Sequence, residues 1–345
     1  MKIGINGFGR IGRSVFRILE EVDGIDVVAI NDLFDREALR YLLDYDTVMG
    51  PFGKSLKLED DHFVTDKGRV KLLSESNPAD LPWAELGVDA VVEATGVFRK
   101  RDQLEQHLAA GAKHVILTVP AKDPVDYTVV LGVNEEGLNP EHRIISNASC
   151  TTNCLAPMAR VLNDEFGIEE GVIDTVHAYT NDQRLADVPH SDWRRSRAAA
   201  ENIIPTSTGA AKAVGEVLPQ LQGRLHGIAA RVPVPDGSVV DLFVKLGKTV
   251  SVDDVNAAVR AASETERLSG ILQFCDAPIV SSDILGPSHS SIYDAGFTGV
   301  TSGRYLRGRT WSETAWGCSW RVGGLLSRIM SGGARRWRRS PRICA

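Results

Sequence analysis

The sequence predicts an α/β protein with two domains: a doubly wound parallel sheet of Rossmann type, followed by an α+β domain with a mixed or antiparallel sheet. Three observations carry this prediction. Strand-like and helix-like segments alternate through residues 1–149, a glycine-rich turn follows the first strand, and longer β-like segments follow a helix near residue 150. A chain of 345 residues is long enough to form two hydrophobic cores.

The composition restricts the possible classes of function. The chain has 39 Lys and Arg against 45 Asp and Glu, and its net charge of −6 argues against general binding to nucleic acid or anionic membranes. Its five cysteines are scattered and odd in number, unlike a secreted disulfide framework. No apolar run approaches the roughly 18 residues of a membrane span, and no leader pattern is visible. We therefore expect a soluble, cytoplasmic protein.

The N-terminal segment has the order of a Rossmann-type dinucleotide-binding unit. The β-like run Lys2–Asn6 precedes a glycine turn, an amphipathic helix and the apolar segment IDVVAIND, which ends in Asp32. The turn reads Gly7-Phe8-Gly9-Arg10-Ile11-Gly12. Glycine allows the backbone to approach a pyrophosphate, whose charge is favoured at a helix N-terminus. Asp32 can bind ribose hydroxyls and would repel a 2′-phosphate, which favours NAD over NADP. The glycine pattern alone could be an ordinary tight turn.

The rest of the first domain continues this alternation. Helices are predicted at REALRYLLDYD and RDQLEQHLAAGA, antiparallel strands within SLKLEDDHFVTDKGRVKLLSE, and further strands at DAVVEATG, HVILTVP, DYTVVLGV and RIIS. Ligands of such sheets bind at the carboxyl ends of the strands, so Thr95-Gly96 and Thr118 are candidate contacts. Ordinary turn chemistry is the alternative for both.

The segment ISNASCTTNCLAP contains two cysteines four residues apart. Cys150 begins a predicted helix, and the partial positive charge at that end favours a thiolate. Cys154 lies one turn later, where a disulfide to Cys150 would distort the helix. No metal-ligand pattern stands near the pair, so we expect no metal site. We predict a reactive Cys150 and a buried, structural Cys154.

A nucleophilic cysteine needs a base. His177 is the best candidate among eight histidines because it closes the predicted strand GVIDTVHAYTND and is followed by hydroxyl side chains. Taken alone, a histidine in a strand is more often structural.

Anion-binding groups follow in the sequence. Arg194, Arg195 and Arg197 lie in DWRRSR, although a solvated face or a subunit contact would also explain them. The segment IIPTSTGAAKAV predicts a loop and then a helix, whose start suits phosphate. Arg231 lies inside an otherwise apolar strand, where arginine rarely occurs without a partner.

Taken in order, these motifs resemble those of the type I, phosphorylating, NAD-dependent glyceraldehyde-3-phosphate dehydrogenase family. NGFGRIGR, ATGVF, SNASCTTNCLAP, HAYTNDQ, RRSRAAAENIIPTSTGAAKAV, RVPVPDGSVVDL and PIVSSDILG carry the resemblance over about residues 1–294. It implies a homotetrameric glycolytic oxidoreductase. The implied reaction converts glyceraldehyde 3-phosphate, NAD and inorganic phosphate to 1,3-bisphosphoglycerate through a cysteine thioester.

The resemblance also implies roles for individual residues. Cys150 would be the nucleophile, and His177 would activate it. The NAD contacts would be Gly7, Gly9, Arg10, Ile11, Gly12, Asp32, Thr118 and Thr314. Thr180 and Arg231 would bind the substrate phosphate, and Ser149, Thr151, Arg195, Thr208 and Gly209 the attacking phosphate. Arg194 is an alternative to Arg195, and residues 178–205 would reach the cofactor site of a neighbouring subunit.

The C-terminal stretch departs from the family. The family pattern WYDNEWGYSNRV is replaced here by WSETAWGCSWRV, residues 311–322. Thr314 replaces an asparagine that anchors the nicotinamide carboxamide, and threonine cannot reproduce both amide contacts. Residues 300–345 hold ten arginines and a single acid, Glu313. A disordered basic tail over 331–345, a nucleic-acid arm and a shifted reading of the coding sequence all remain open explanations.

These observations predict a cofactor domain over 1–149, with a helix at about 316–330 packing back onto it, and a catalytic domain over 150–315. Two alternatives to the main function remain. One is erythrose-4-phosphate dehydrogenase activity. The other is a dinucleotide-binding relative whose catalysis is weakened by the altered residues 311–320.

Overall fold

A computed structural model of the protein describes residues 1–286 and 289–331. The described residues divide into two compact units. The first contains residues 1–129, 136–148 and 318–331, and the second contains residues 130–135, 149–286 and 289–317. The basic tail predicted over 331–345 lies, apart from Ser331, outside the described residues. The predicted domain limits stay a prediction.

The first unit is built on a nine-stranded sheet. Its strands are β1 Lys2–Asn6, β2 Asp26–Asn31, β3 Leu56–Glu59, β4 His62–Thr65, β5 Gly68–Leu73, β6 Ala90–Glu93, β7 His114–Leu117, β8 Tyr127–Thr128 and β9 Ile144–Ser146. They lie in the order β3-β4-β5-β2-β1-β6-β7-β9-β8. All neighbours from β5 to β8 in this order are parallel, whereas β3, β4 and β5 form the predicted antiparallel hairpins. This sheet confirms the Rossmann-type, doubly wound architecture.

Short helices connect these strands. They are α1 Arg10–Leu19, α2 Arg36–Asp44, α3 Trp83–Leu86 and α4 Arg101–Ala109. Helix α1 buries Val15, Phe16, Ile18 and Leu19, the apolar positions that predicted it. The helix begins at Arg10, shortly after β1 ends at Asn6, and the glycine turn joins the two.

The second unit contains an eight-stranded mixed sheet. Its strands are β10 Ile168–Ala178, β11 Ile204–Ser207, β12 Leu225–Val232, β13 Ser238–Leu246, β14 Leu272–Cys275, β15 Ser291–Asp294, β16 Gly299–Thr301 and β17 Tyr305–Ser312. The order is β11-β12-β10-β13-β17-β15-β14, with β16 paired to β17. The pairs β10–β12 and β14–β15 are parallel, and the others are antiparallel. This confirms the predicted α+β unit with a mixed sheet.

Three further helices cover this sheet, and a fourth ends the described chain. They are α5 Cys150–Phe166, α6 Ala210–Val217, α7 Val252–Glu264 and α8 Trp316–Met330. Helix α5 packs against β15 and β17 and buries Cys154, Leu155, Met158 and Leu162 completely. Because these buried contacts extend along the helix, they fix the axis of α5. They therefore also fix where its first residue, Cys150, lies in this unit.

Two local predictions were wrong. The segment DYTVVLGV was predicted as a strand, but only Tyr127–Thr128 pairs with β9. The side-chain oxygen of Asn134 accepts a hydrogen bond from the backbone N–H of Val130 (2.8 Å), which stabilises a turn there instead. The segment IIPTSTG was predicted as a loop, but Ile204–Ser207 forms β11. Because β11 is an edge strand, the missing N–H of Pro205 is tolerated.

Candidate active site

The candidate nucleophile of the second unit lies at the start of α5. Ser149 caps this helix, because its Oγ accepts a hydrogen bond from the backbone N–H of Thr152 (3.1 Å). Cys150 is the first helical residue and is partly exposed. The residue before the cap, Ala148, has a φ of +56°, a conformation that a residue with a side chain adopts only under constraint. The chain therefore turns sharply just before it presents the thiol at a helix N-terminus.

His177 faces this thiol. Its Nε2 lies 3.5 Å from the Sγ of Cys150, and the imidazole is buried in β10. Its Nδ1 lies 2.6 Å from the carbonyl oxygen of Ala178. Only a protonated Nδ1 can bond to a carbonyl, so this contact fixes the tautomer and leaves Nε2 to exchange a proton with the sulfur. The structure thus brings together the predicted nucleophile and the predicted base.

Arg231 lies beside His177 on the neighbouring parallel strand, in direct register with it. Its Nη1 donates to the carbonyl oxygen of Ala178 (3.1 Å) and to the Oγ1 of Thr180 (3.0 Å). The same nitrogen is 3.2 Å from Nδ1 of His177, but both are donors, so the Ala178 carbonyl is what joins them. Burial lowers the pKa of Arg231, and the nearby carboxylate of Asp182 opposes this shift. Arg231 and Thr180 form the first cluster of anion-binding groups.

Arg195 forms the second cluster. Its Nε donates to the Oγ1 of Thr206 on β11 (3.0 Å), and its guanidinium forms an ion pair with Asp182. Thr208 and Gly209 follow β11 directly, and Gly209 is the N-cap of α6. A Cβ at Gly209 would have no neighbour within 4 Å, so the backbone there is accessible to a ligand.

Arg194 and Arg195, the first two arginines of the RRSR segment, differ in exposure and in contacts. Arg195 is partly buried by its contacts with Thr206 and Asp182, whereas the side chain of Arg194 is exposed. The backbone N–H of Arg194 donates to Asp192 (3.0 Å). This arrangement favours Arg195 over Arg194 as an anion ligand.

Asp182 connects the two clusters and was missed from the sequence. Its carboxylate accepts a hydrogen bond from Thr180 and pairs with Arg195. Burial acts to raise the pKa of Asp182, but the Thr180 hydrogen bond and the charges of Arg195 and Arg231 together lower it below its ordinary value. A carboxylate of the protein itself, exposed to solvent, therefore lies among the groups predicted to bind phosphate. The signal in the sequence was an acid two residues after Thr180 in HAYTND.

Cys154 has the structural role predicted for it. The residue is completely buried, and burial raises its pKa to about 12. Its Sγ lies 3.6 Å from the carbonyl oxygen of Trp311 and 3.8 Å from the Oγ1 of Thr310. A thiol in this state is a poor nucleophile.

The glycine turn of the first unit fits a dinucleotide. A Cβ at Gly7, which has a φ of +92°, would lie 2.6 Å from the backbone nitrogen of Thr95, and a Cβ at Gly12 would lie 2.0 Å from the carbonyl oxygen of Gly7. These two glycines are therefore required for close packing. A Cβ at Gly9 would meet nothing within 4 Å, so this residue faces open space at the N-terminus of α1. Open space beside a helix N-terminus is what a pyrophosphate needs.

Two further predicted cofactor residues of this unit lie at the carboxyl ends of its strands. Asp32 follows β2, and its carboxylate accepts hydrogen bonds from the backbone N–H groups of Phe8 (2.7 Å) and Phe34 (3.1 Å). Thr118 follows β7, and its hydroxyl donates to the carbonyl oxygen of Glu93 (3.0 Å). These bonds hold a carboxylate and a hydroxyl at the edge of the sheet where the glycine turn also lies.

Two residues of the glycine turn, Arg10 and Ile11, begin α1. Arg10 pairs with Asp46 through Nη1 and Oδ1 at 3.0 Å, and Ile11 is partly buried. Burial opposes the ionisation of Asp46, but the backbone N–H groups of Met49 and Val48 and the charge of Arg10 lower its pKa to about 2. Asp46 thus fixes Arg10 beside the turn.

Thr314 lies in the second unit, just after β17. Its backbone N–H donates to Oδ1 of Asp236 (2.7 Å), and its Oγ1 is 3.2 Å from the Oγ of Ser238. Asp236 and Glu313 are both buried next to it, and neither was predicted from the sequence. The sequence offered only one weak signal, namely that Glu313 is the single acid among residues 300–345.

The described part of the chain contains no group of three or more His, Cys, Asp and Glu side chains arranged to bind a metal ion. In the same residues, no helix combines the length and the apolar character that crossing a membrane requires.

Comparisons with known proteins agree with the fold. The family model described as "Glyceraldehyde 3-phosphate dehydrogenase, NAD binding domain" matches residues 1–101, and that described as "Glyceraldehyde 3-phosphate dehydrogenase, C-terminal domain" matches residues 149–314. The glyceraldehyde-3-phosphate dehydrogenase of Borreliella burgdorferi is 54% identical over 336 residues, covering 96% of this chain and 100% of the relative. The protein of the same name from Streptomyces coelicolor is 52% identical over 324 residues, covering 93% and 96%. That of Mycobacterium tuberculosis is 52% identical over 336 residues, covering 95% and 98%.

Proposed function

The chain belongs to the glyceraldehyde-3-phosphate dehydrogenase family, and on that basis we propose that it catalyses the NAD-dependent, phosphorylating oxidation of D-glyceraldehyde 3-phosphate. The products are 1,3-bisphosphoglycerate and NADH. The observation that carries this proposal is the 3.5 Å contact between the Sγ of Cys150 and the Nε2 of His177, at a helix N-terminus and with Arg231 in register beside the histidine.

The first step is covalent capture of the aldehyde. The thiolate of Cys150 attacks the carbonyl carbon, and a carbon–sulfur bond forms as the carbon–oxygen π bond opens. The oxygen takes up the proton that Nε2 of His177 received from the thiol, which completes the hydroxyl of a thiohemiacetal. The positive end of the α5 dipole favours both the thiolate and the negative charge that develops on this oxygen. Ser149 supports the geometry because it caps the helix that carries the thiol.

The second step is oxidation. His177 accepts the hydroxyl proton at Nε2, since its Nδ1 proton is committed to the Ala178 carbonyl. NAD, when bound, would supply the two-electron acceptor for the hydride that leaves the same carbon. The carbon becomes a thioester on Cys150, so the free energy of oxidation is retained in a reactive acyl group.

The third step is transfer of the acyl group to inorganic phosphate. A phosphate oxygen attacks the thioester carbon, the carbon–sulfur bond breaks, and Cys150 leaves as a thiolate. We assign the attacking phosphate to the cluster around Arg195, with Ser149, Thr151, Thr208 and Gly209. The phosphate of the substrate is assigned to Arg231, which lies next to His177 in the sheet, and to Thr180, whose hydroxyl accepts a hydrogen bond from Arg231 (3.0 Å). Fixed cations and hydroxyls in these positions would orient both phosphates before reaction.

Two experiments test this function. NADH formation is measured with and without phosphate or arsenate, and equal rates in both conditions would exclude the phosphorylating mechanism. The variant Cys150→Ser should bind NAD normally but lose activity, whereas Cys154→Ser, a matched control one helical turn away, should keep it. A Cys150→Ser protein with the wild-type rate would rule out covalent catalysis.

We also propose a cytoplasmic homotetramer. The second sheet carries exposed apolar side chains on several strands: Val172 (53%), Ile228 (63%), Phe243 (44%) and Tyr305 (55%). Val172 and Phe243 are direct cross-strand partners, so they form a contiguous patch. Such a patch suits burial against a second copy. Light scattering during size-exclusion chromatography gives the molar mass, and a monomer at micromolar concentration would contradict the proposal.

The change at Thr314 favours a second candidate, a weakened enzyme that binds NAD but turns over slowly. The Oγ1 of Thr314 is already in contact with the Oγ of Ser238. It therefore has less hydrogen-bonding capacity left for a cofactor than the carboxamide of an asparagine would have. Restoring asparagine with Thr314→Asn should raise kcat/KM for NAD if this residue limits the reaction. Unchanged kinetics would remove the support for this candidate.

A further inference from the structure

Two buried carboxyl groups lie next to Thr314 in the second unit. Asp236 belongs to the loop between β12 and β13 and is 3% exposed, and Glu313 follows β17 and is 1% exposed. Neither takes part in the reaction described above. Buried acids without a cation partner are uncommon, because burial disfavours the charged form.

Each carboxyl group uses one oxygen to hold backbone. Oδ1 of Asp236 accepts hydrogen bonds from the N–H groups of Gly237 and Thr314, both at 2.7 Å. Oε2 of Glu313 accepts one from the N–H of Gly317 at 2.6 Å. The pair therefore clamps the turn that joins β17 to α8, with Thr314 at its centre.

The other two oxygens have only each other. Oδ2 of Asp236 and Oε1 of Glu313 are buried and receive no hydrogen bond from a described donor. The two side chains lie close together, because Asp236 binds the backbone N–H of Thr314, the residue directly after Glu313. Two carboxylates in such contact would repel strongly, and one proton between them removes the repulsion and satisfies both oxygens. Burial and contact with Asp236 both raise the pKa of Glu313 well above its ordinary value.

We propose that Asp236 and Glu313 share one proton and act together as a positioning pair, which fixes Thr314 for cofactor binding. The role in cofactor binding rests on the proposed function, whereas the shared proton does not. The pair then carries one net negative charge. Its shared proton makes a hydrogen bond between two oxygens that could otherwise only accept.

A chain of hydrogen bonds connects this turn to the base. The Oγ1 of Thr314 is 3.2 Å from the Oγ of Ser238, which accepts a hydrogen bond from the backbone N–H of Ala178 (3.1 Å). The carbonyl of that same Ala178 fixes Nδ1 of His177. A displaced turn would therefore disturb both the cofactor contact and the peptide that orients the imidazole.

Other charged groups around the pair are already engaged. The carboxylate of Asp283, in the short helix that packs against Gly237, accepts a hydrogen bond from the backbone N–H of Val280 (2.7 Å). Asp241 and Arg309, farther along β13 and β17, bind each other with two hydrogen bonds. Among the residues that the structure describes, His289 is another titratable neighbour, and its carbonyl oxygen would lie 3.3 Å from a Cβ at residue 317. The charge that faces Glu313 is therefore that of Asp236.

Infrared difference spectroscopy tests the shared proton directly. The C=O stretch of a protonated carboxylic acid is well separated from that of a carboxylate, and we expect it at neutral pH in the wild-type protein. The band should disappear in Glu313→Gln and in Asp236→Asn. It should remain in Glu216→Gln, a control that removes an exposed carboxylate from α6. A spectrum in which Glu313→Gln leaves the band unchanged would overturn the shared proton.

The affinity for NAD tests the positioning role. Binding is followed by tryptophan fluorescence from neutral to alkaline pH in Cys150→Ser protein, so that no chemistry contributes. Glu313→Gln, whose amide can donate to Asp236, should bind NAD within about threefold of the parent at neutral pH. Glu313→Ala, which leaves Asp236 buried without its partner, should bind about tenfold more weakly or worse.

The pH profile separates a positioning role from a merely structural one. The parent should lose NAD affinity at alkaline pH as the shared proton leaves, because two adjacent carboxylates then open the turn. Glu313→Gln cannot lose that proton and should show no such loss. The same alkaline loss in both proteins, or Glu313→Gln as weak as Glu313→Ala, would refute the proposal. Absence of phosphate-dependent NADH formation alongside the predicted binding profiles would refute only the proposed function.

Discussion

Replacing His177 with asparagine isolates the contribution of the base. The amide of His177→Asn can still donate to the Ala178 carbonyl, the partner of Nδ1 at 2.6 Å. It has no group that can accept a proton where Nε2 now lies, 3.5 Å from the Cys150 sulfur. The substitution therefore removes proton transfer while it preserves a hydrogen bond of the strand.

The expected loss follows from this geometry. A positioned general base contributes roughly 10²–10⁴-fold to the rate, or about 3–5 kcal/mol of the activation barrier. Because His177 is buried and its Nε2 lies 3.5 Å from the sulfur, we expect kcat to fall within this range. The KM values for substrate and NAD should change little, since the anion-binding groups remain in place.

The assay is NADH formation at saturating NAD, substrate and phosphate, combined with the rate of Cys150 alkylation. The matched control is His226→Asn, which changes an exposed histidine of the adjacent strand β12. The control should retain wild-type kinetics and reactivity. If kcat of His177→Asn stays within tenfold of wild type, His177 is not the base.

Three other substitutions test two residues among the phosphate-binding groups of the second unit and one ion pair of the first unit. Arg231→Lys should raise the KM for glyceraldehyde 3-phosphate about tenfold or more with a smaller change in kcat, because lysine cannot contact Thr180 and the Ala178 carbonyl together. Asp182→Asn should lower the KM for phosphate and for substrate, since it removes the protein's own carboxylate from both clusters; a higher KM for both would contradict that reasoning. Asp46→Asn should lower the free energy of unfolding by about 2 kcal/mol at neutral pH. A group with a depressed pKa stabilises the fold above its unfolded pKa, so in urea titrations this difference should shrink as the pH falls from about 4 to about 2; a difference that does not depend on pH would refute the linkage.

The first unit was largely predictable because its signals are local. The glycine turn, the amphipathic α1 and the acid after β2 follow one another within the first 32 residues. Each is set by backbone conformation or by periodicity, which a single sequence shows directly. The strand predicted at DYTVVLGV failed because one side chain, Asn134, stabilises a turn that the apolar pattern does not reveal.

The second unit was less predictable because its site is assembled from distant strands. Cys150 and His177 could be proposed from helix and strand position, but the register that sets Arg231 beside His177 is a property of the sheet. The edge strand β11 was missed because its pairing partner lies about 20 residues later in the chain. The residue types indicated the candidate site residues, and only the register of the sheet showed which of their side chains lie next to each other.

Asp182, Asp236 and Glu313 illustrate a second limit of sequence reasoning. Each is an acid whose role depends on partners far away in the chain: Arg195 for Asp182, and a second acid for Asp236 and Glu313. A carboxylate in a loop is ordinarily exposed, so its sequence context gives only a weak signal that it is buried or paired.

The most direct measurement of the central claim is the rate of alkylation at each cysteine of the folded protein. Iodoacetamide is applied at mildly acidic pH, and modified residues are located by mass spectrometry while activity is followed in parallel. Cys150 should react far faster than N-acetylcysteine, Cys154 should stay unmodified, and activity should fall in step with Cys150 alone. A Cys150 that reacts no faster than the free amino-acid derivative would contradict a thiol activated by a helix N-terminus and His177.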